Sequence, residues 1–410
     1  MPIKLILSDS REIKTLKEYL EQNSILSKKH KIEKHDNQFH IYTTLSEITN
    51  DLSKYAHETY QEETPQIMTL YSIVNEFCVS RNIESPPEST IPKRWSIYPP
   101  MILFNSNTFD GEPWQQRFQQ TETLSHDLFE HILSHQQPLF GTSDITHLAI
   151  NKPIIDTDNI MRKPLNVLPL HGDFGPLVDS PAPTQQDFQQ AFWCHVVQNG
   201  IYQTWAPRYT MFSRGNIKEK KRVLDNWKNL NGSVIFDFYC GIGYFSLSYL
   251  KNGGKLMCWE LNPWSIEGFR RSLEYAGYKY KIIHSEEDFE YEKDFVNSDI
   301  DAYLFLESNE NIPNRLKSFP EKSLPISHIN LGLLPTSKAA WGIAHQLIKE
   351  KSNRDTIVRI HENVHIDDFD KIKQEAGDKF ASGEVTHLEK VKTFAPDVWH
   401  LVIDLKQSVI

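Results

Sequence analysis

Val234-Ile-Phe-Asp237-Phe-Tyr-Cys240-Gly241-Ile-Gly243-Tyr-Phe245 decides the fold. A continuous apolar strand carries one acid near its end, two glycines follow, and a helical pattern then runs through Leu250. In that context glycine lets the backbone turn tightly and approach a ligand without Cβ interference. Ligands of open α/β sheets lie beyond the carboxyl ends of the strands, where this loop falls. Lys255–Trp259 predicts a second strand ending at Glu260, twenty-three residues after Asp237. A carboxylate there can accept hydrogen bonds from both hydroxyls of an adenosine ribose.

The loop departs from a dinucleotide fingerprint, because Ser246 stands where a third glycine would allow close helix packing. An Asp four residues before the first glycine suits a cationic amino-acid ligand better than a pyrophosphate. That pattern resembles S-adenosylmethionine (SAM) proteins, and it nominates Asp237, Gly241, Gly243 and Glu260 as cofactor-binding residues. Cys240 precedes a helix N-terminus, which favours a thiolate. No His lies near it in sequence, so it is not expected to be a nucleophile.

Outward from the loop, Pro263 opens a helix with Ile266, Phe269 and Leu273 on one face. Lys281–His284, Ala302–Leu306, His328–Leu331 and Ile357–Ile360 read as further strands, and Thr386–Thr393 with Val398–Leu405 as a closing pair. This alternation predicts a mostly parallel, doubly wound α/β sheet. Upstream, Ser8–Ser10 caps a predicted helix through Leu16, Tyr19, Leu20 and Ile25. Lys31–Lys34 and Phe39–Thr43 read as strands around a His35-Asp36-Asn37 turn, Leu45–Tyr60 as a helix, and Pro86–Pro100 as an irregular connection. Leu124, Leu128, Phe129, Ile132 and Leu133 share one helical face, and 147–154 is strand-like. The expected division is an α+β region over 1–190 and a Rossmann-like, cofactor-binding domain over 191–410.

With 410 residues, 39% hydrophobic and 11% aromatic, the chain can bury a large core and is not a disordered protein. Its longest apolar runs are strand-sized, so no membrane span is expected. The N-terminus has no signal-peptide pattern. Four cysteines without C-x-x-C spacing predict neither a zinc ribbon nor a disulfide scaffold, and point to a reducing, cytoplasmic setting. His171 and Asp173 invite a metal reading, but no further ligand lies at useful spacing, so no metal is expected. Asp173 instead reads as a turn residue.

The net charge of −10 argues against general nucleic-acid coating, yet Arg214 to Arg222 holds five cations and one acid in nine residues. These cations suit phosphates or a cofactor carboxylate. They lie in PRYTMFSRGNIKEKKR (207–222), which with FDFYCGIGYFSL and ELNP closely resembles the tRNA wybutosine-synthesising protein 2 family. THLAINKPI (146–154), PLHGDFGP (169–176), AFWCHVVQNGIYQTWAPRYT (191–210), LGLLPTS (331–337), RIHENV (359–364) and VKTFAPDVWHLVIDL (391–405) extend the likeness, which is dense from residue 146 onward.

The resemblance implies a Rossmann-like class I SAM-dependent methyltransferase fold. It also implies transfer of the 3-amino-3-carboxypropyl group of SAM to C7 of 4-demethylwyosine, the tricyclic base beside the anticodon of tRNA(Phe). Ser213 and Lys220 would contact the cofactor and Glu260 its ribose; Lys220 is a candidate partner of the methionine carboxylate. An acidic loop near the adenine would be Glu307-Ser308-Asn309, or alternatively Glu287-Asp288, the choice being complicated by an apparent insertion near 286–300. Arg214, Lys218 and Lys221 are candidate RNA contacts. Pro335, Thr336 and His361 are candidates for lining the base pocket, and Trp341 and Trp399 for stacking. No covalent or acid–base catalytic residue is expected, since orientation supplies much of such a rate. The rival activity is tRNA (guanine-N1) methylation.

Overall fold

The structure is a computed structural model that describes residues 1–36, 38–61, 68–121, 123–151, 167–381 and 383–409. The chain divides into two compact units, Met1–Thr69 and Leu70–Ile410. In the first, β1 (Ile3–Leu7), β2 (Glu33–His35), β3 (Gln38–Tyr42) and β4 (Ala56–Thr59) form an antiparallel sheet ordered β2-β3-β1-β4. Helix α1 (Glu12–Gln22) buries Leu16 and Leu20 against Ile3, Leu5, Leu7 and Ile41. Asn37, in the expected turn, lies outside the described residues.

The helix expected over Leu45–Tyr60 is not there. A single 3-10 turn, Asn50–Leu52, is followed by β4. Ser and Asn in this stretch compete with helical backbone bonds, as Ser53 does by donating from Oγ to the Asn50 carbonyl at 2.7 Å. The open edge of β1 then takes 56–59 as a strand, Ile3 opposite Thr59.

The second unit opens with α2 (Leu70–Ser80). A sheet follows, ordered β5 (Trp95–Tyr98), β6 (Met101–Asn105), β7 (His147–Asn151) and β8 (Val167–His171). The supposedly irregular 86–100 thus contains an edge strand, and the strand at 147–154 is described only to Asn151. Three helices, α3 (Glu112–Gln120), α4 (Leu124–Ser134) and α5 (Gln136–Phe140), come between β6 and β7. All five apolar residues named for α4 are buried in one cluster with Ile102, Phe104, Leu148 and Ile150. Thr184 caps α6 (Gln185–Gln190) in a capping box with Asp187. The boundary at 190/191 lies inside this unit, and a cluster of Tyr98, Met101 and Ala149 with Cys194, Trp205 and Ile242 spans it.

A hairpin, β9 (Cys194–Gln198) and β10 (Ile201–Trp205), turns at Asn199-Gly200, both with positive φ. Helix α7 (Ile217–Asn226) then leads into the large sheet. Its strands are β11 (Val234–Asp237), β12 (Lys255–Glu260), β13 (Tyr280–His284), β14 (Ala302–Leu306), β15 (Ile326–Leu331), β16 (Thr356–His365), β17 (Glu384–Ala395) and β18 (Val398–Gln407). They are ordered β13-β14-β12-β11-β15-β16-β18-β17. The first six are parallel; β18 and β17 are antiparallel, and β17 carries three register shifts against β18. Helices α8 (Ser246–Lys251), α9 (Pro263–Ala276), α10 (Ile312–Arg315), α11 (Trp341–Lys351) and α12 (Phe369–Lys379) complete the doubly wound arrangement. Phe236, Met257 and Tyr303 enter one core cluster and Ile235, Cys258 and Leu304 another, as alternation along a strand requires. The chain leaves β11 toward β12 on one side and returns to β15 on the other, so the carboxyl end of β11 is a topological switch point.

Candidate active site

At the switch point, Gly241 and Gly243 take φ of +53° and +82°. A Cβ on Gly243 would lie 2.6 Å from the Phe269 ring, so helix α9 packs directly on the turn. Glu260, at the end of β12, accepts the Gly241 N–H at 3.0 Å on one oxygen and the Asn262 N–H at 2.8 Å on the other. Burial raises its pKa, while these backbone donors oppose the rise. Each carboxylate oxygen has room for a second acceptor bond, so Glu260 can hold the loop and also receive two ligand hydroxyls.

Asp237 is fully buried. It accepts Ser246 Oγ at 2.6 Å and Asn330 Nδ2 at 3.0 Å, one on each oxygen. Its carboxylate therefore ties β11 to α8 and β15 at the strand end from which the glycine turn departs. Ser246 thus fills the third-glycine position with a hydroxyl that Asp237 uses. Cys240 is buried, and burial pushes its thiol well up, which removes thiolate character.

Lys220, an expected cofactor contact, is enclosed in the fold. On α7 only 3% of it is exposed, and its ammonium donates to Gln203 Oε1 at 2.8 Å and Gln198 Oε1 at 3.2 Å. It lies 4.7 Å from the Phe212 ring centroid and 5.4 Å from that of Tyr244. Gln203 in turn donates from Nε2 to the Gly243 carbonyl at 3.2 Å, so the lysine is one amide away from the glycine turn. Burial lowers the amine to about 7, and it pairs with no carboxylate among the described residues. Tyr244 donates to the Met211 carbonyl and so fixes the segment containing Ser213, which is half-buried. Gln198 and Gln203 were not foreseen from sequence. The Asn199-Gly200 hairpin signal was available, and it sets both amides diagonally on one face.

The α7 backbone is held by a buried four-charge network. Arg222 grips Glu219, Nη2 to Oε1 at 2.8 Å, and Asp404, Nη2 to Oδ1 at 2.9 Å. Arg359, wholly buried, also contacts Glu219 and lies 3.4 Å from Asp404. Two of the five basic-segment cations, Lys220 and Arg222, thus point inward. Arg214, Lys218 and Lys221 are exposed; Arg214 donates to Ser96 Oγ at 2.7 Å and Lys221 pairs with Asp225 at 2.8 Å.

The two competing acidic loops are neighbours, at the ends of adjacent strands β13 and β14, and Arg315 joins them. It forms a bidentate pair with Glu307, both bonds 2.7 Å, and donates to the carbonyls of His284, at 2.8 Å, and Glu287. Asn309 donates to the Phe238 carbonyl at 2.9 Å, and the Ser308 hydroxyl caps a 3-10 turn. The Glu307 side chain is consumed by Arg315, whereas Glu287 and Asp288 are exposed. The 286–300 stretch packs inward through Phe289, Tyr291 and Phe295.

Beyond β15, Pro335 and Thr336 are exposed, and their loop is pinned to β16: the Asn363 N–H reaches the Pro335 carbonyl at 2.8 Å and Glu362 accepts the Ser337 N–H at 2.8 Å. His361 is buried beside the Phe245 ring, with Nδ1 3.0 Å from His400 Nε2. Burial holds both imidazoles neutral, His400 at about 4. Trp341 is buried with its indole N–H on Ser337 Oγ at 3.0 Å, so it is a core residue and offers no stacking face. Trp399 is half-buried against the same core.

Comparisons with known proteins accord with this arrangement. The chain is 39% identical over 330 residues to tRNA wybutosine-synthesizing protein 2 of Schizosaccharomyces pombe, covering 78% of this chain and 74% of that one. The protein of the same name in Saccharomyces cerevisiae is 34% identical over 476 aligned positions, covering 99% of this chain and 98% of its own. No family model matches. Among solved structures the fold is similar to Trm5b from Pyrococcus abyssi, with TM-score 0.56, 14% identity and full coverage of both chains. It is also similar to P. horikoshii TYW2 in complex with MeSAdo, with TM-score 0.51 and 16% identity over 82% of this chain and 98% of that one. The large sheet is accordingly the Rossmann-like class I SAM-dependent methyltransferase fold, preceded by an α+β region.

Proposed function

The chain belongs to the tRNA wybutosine-synthesizing protein 2 family, and from that premise we propose that it transfers the 3-amino-3-carboxypropyl group of SAM to C7 of 4-demethylwyosine at position 37 of tRNA(Phe), releasing 5′-methylthioadenosine. At the coarser level the chain is a SAM-dependent transferase of wybutosine biosynthesis. SAM supplies a sulfonium that activates all three attached carbons, so the protein's task is to choose which carbon faces the base.

The observation that carries SAM binding here is Lys220, and the choice of carbon rests on the family. A buried ammonium without a carboxylate partner is costly unless a ligand supplies the counter-charge. The methionine carboxylate supplies it, and that carboxylate belongs to the group being moved. Lys220 and its two amides would then orient the transferred group, with Ser213 nearby on the tethered segment and Glu260 receiving the ribose. Gly241 and Gly243 give the turn its close approach, and Asp237 acts through Ser246 and Asn330 as a brace. For the adenine end we favour the backbone around Ser308 and Asn309, with Glu307 held back by Arg315. Pro335, Thr336 and His361 stand as the base-side residues. Orientation in a preorganised site accounts for rate without a covalent intermediate.

RNA would be held by residues 1–190 together with Arg214, Lys218 and Lys221. A cytoplasmic, reducing setting accords with four cysteines that are all unbridged. No described helix is long and apolar enough to cross a membrane.

The test is a product assay with SAM and tRNA carrying 4-demethylwyosine, followed by mass analysis of the nucleoside and the spent co-substrate. The expected outcome is gain of the four-carbon amino-acid group with methylthioadenosine. Gain of a single methyl with S-adenosylhomocysteine would instead establish a methyltransferase.

A further inference from the structure

In its own stretch of sequence His171 has only Asp173 beside it, which accepts the Gly175 N–H at 2.8 Å, but the fold supplies two other ligands. Helix α4 presents His126 and Glu130 one turn apart, on the side away from its buried Leu124, Leu128 and Ile132. Strand β8 ends at His171, opposite Leu148, and packs against that helix. The result is a cluster in which one ligand atom from each of His126, Glu130 and His171 lies within 4.8 Å of the others. His171 Nε2 is already 2.9 Å from Glu130 Oε1, and the two imidazole centroids are 5.3 Å apart.

We infer that His126, Glu130 and His171 form a zinc site that clamps α4 to β8, with water as the fourth ligand. Two imidazoles and one carboxylate are a recurrent zinc donor set, tetrahedral with an open position. Ligand atoms around such an ion stand about 3.3 Å apart, given bonds of about 2.0–2.1 Å. The 2.9 Å His171–Glu130 contact therefore opens by a few tenths of an ångström, and the remaining separations, all within 4.8 Å, close by up to about 1.5 Å through rotation of the exposed His126 and Glu130 side chains. Two nitrogen donors exclude calcium and magnesium, which take oxygen ligands. Asp127, held at 3.0 Å by Arg81, lies near His126 Nδ1 at 3.8 Å, beyond hydrogen-bond distance. The His171 side chain is only 12% exposed, which fixes its direction, while His126 and Glu130 close the site from the solvent side.

The clamp has a mechanical role. The chain leaving His171 is gripped by the segment that leads to the cofactor lysine: Arg208 donates to the Gly175 carbonyl at 2.7 Å and Tyr209 to the Pro176 carbonyl at 2.8 Å. Zinc at the end of β8 fixes the other end of that short bridge. This inference does not depend on which group of SAM is transferred.

The test uses the full chain without an affinity tag, dialysed against zinc chloride, passed through gel filtration and assayed by elemental analysis, with affinity read by competition against a chromophoric chelator. Equimolar zinc is expected, with His126→Ala and Glu130→Gln each weakening it by at least about tenfold. Both side chains are exposed on the helix surface, so neither substitution opens the core. His387→Ala, at a distant exposed histidine, should change nothing. Zinc should also raise the melting temperature of the unsubstituted chain and of His387→Ala, but not of His126→Ala. Failure of the unsubstituted chain to retain zinc, equal retention by His126→Ala, or retention of copper but not zinc overturns the proposal.

Discussion

Lys220 and Glu260 divide the work of the candidate site between a displaced proton and a fixed acceptor. Burial brings Lys220 to about 7, and an incoming carboxylate raises it again. Below pH 7 the amine is already charged, so SAM affinity should be flat there. Above it, binding must take up a proton, and affinity should fall by up to about tenfold per pH unit until the pKa of the complex is reached. Calorimetric titration from pH 6.5 to 9 in buffers of different ionisation enthalpy measures both the slope and the proton uptake. Lys220→Met should lower affinity and abolish the slope; a slope that survives would detach the lysine from the carboxylate. Glu260→Ala should weaken SAM by about tenfold or more at every pH, and should also lower the melting temperature because it orphans the Gly241 and Asn262 N–H groups. Glu260 was legible from sequence because a strand end and its spacing from Asp237 place it. The burial of Lys220 was not, because neighbours in a charge run share no face: Lys218 and Lys221 look outward while Lys220, between them, looks in. Its amide partners are 17 and 22 residues away in sequence, across the hairpin.

The elements show the same split between periodic and aperiodic signals. The parallel strands, α4 and α9 were legible because each carries an uninterrupted apolar pattern. The 45–60 stretch misled because Leu45, Ile48, Leu52 and Tyr55 have helical spacing, yet polar residues and a waiting strand edge decided otherwise. Helix α7 combines the two cases: its inner face is set by the Glu219–Arg222–Arg359–Asp404 network, which no local pattern announces, and its outer face leaves Lys218 and Lys221 exposed, the latter paired with Asp225. Replacing both outer lysines with Glu should weaken tRNA binding and reduce the slope of log affinity against log salt by about 1.4–1.8 if each neutralises one phosphate. SAM affinity should not change, since neither residue touches the seat of Lys220. Filter binding across a salt series reads the slope; an unchanged slope would remove these lysines from the RNA contact.

At the scale of the whole molecule, the first 69 residues close their own core, and the remainder closes several more. Residues 70–410 alone should therefore fold and bind SAM within about twofold of the full chain, with tRNA affinity reduced. A cut at 190 should behave differently, because it strips Tyr98, Met101 and Ala149 from a cluster shared with Trp205 and Ile242. Sequence placed the change at 190 because regular α/β alternation becomes visible after it; the apolar contacts that cross that point are long-range and leave no local trace. One consequence lies at the outer rim of the large sheet. β17 is a twelve-residue edge, long enough to template another strand, yet its register breaks at 385/387, 390/392 and 393/395 and it carries His387, Glu389, Lys390 and Lys392. Lys392 also sits against the Arg214–Asn216 turn. An edge so kinked and charged cannot zip onto a foreign strand, so the molecule carries its own guard against lateral fibre growth.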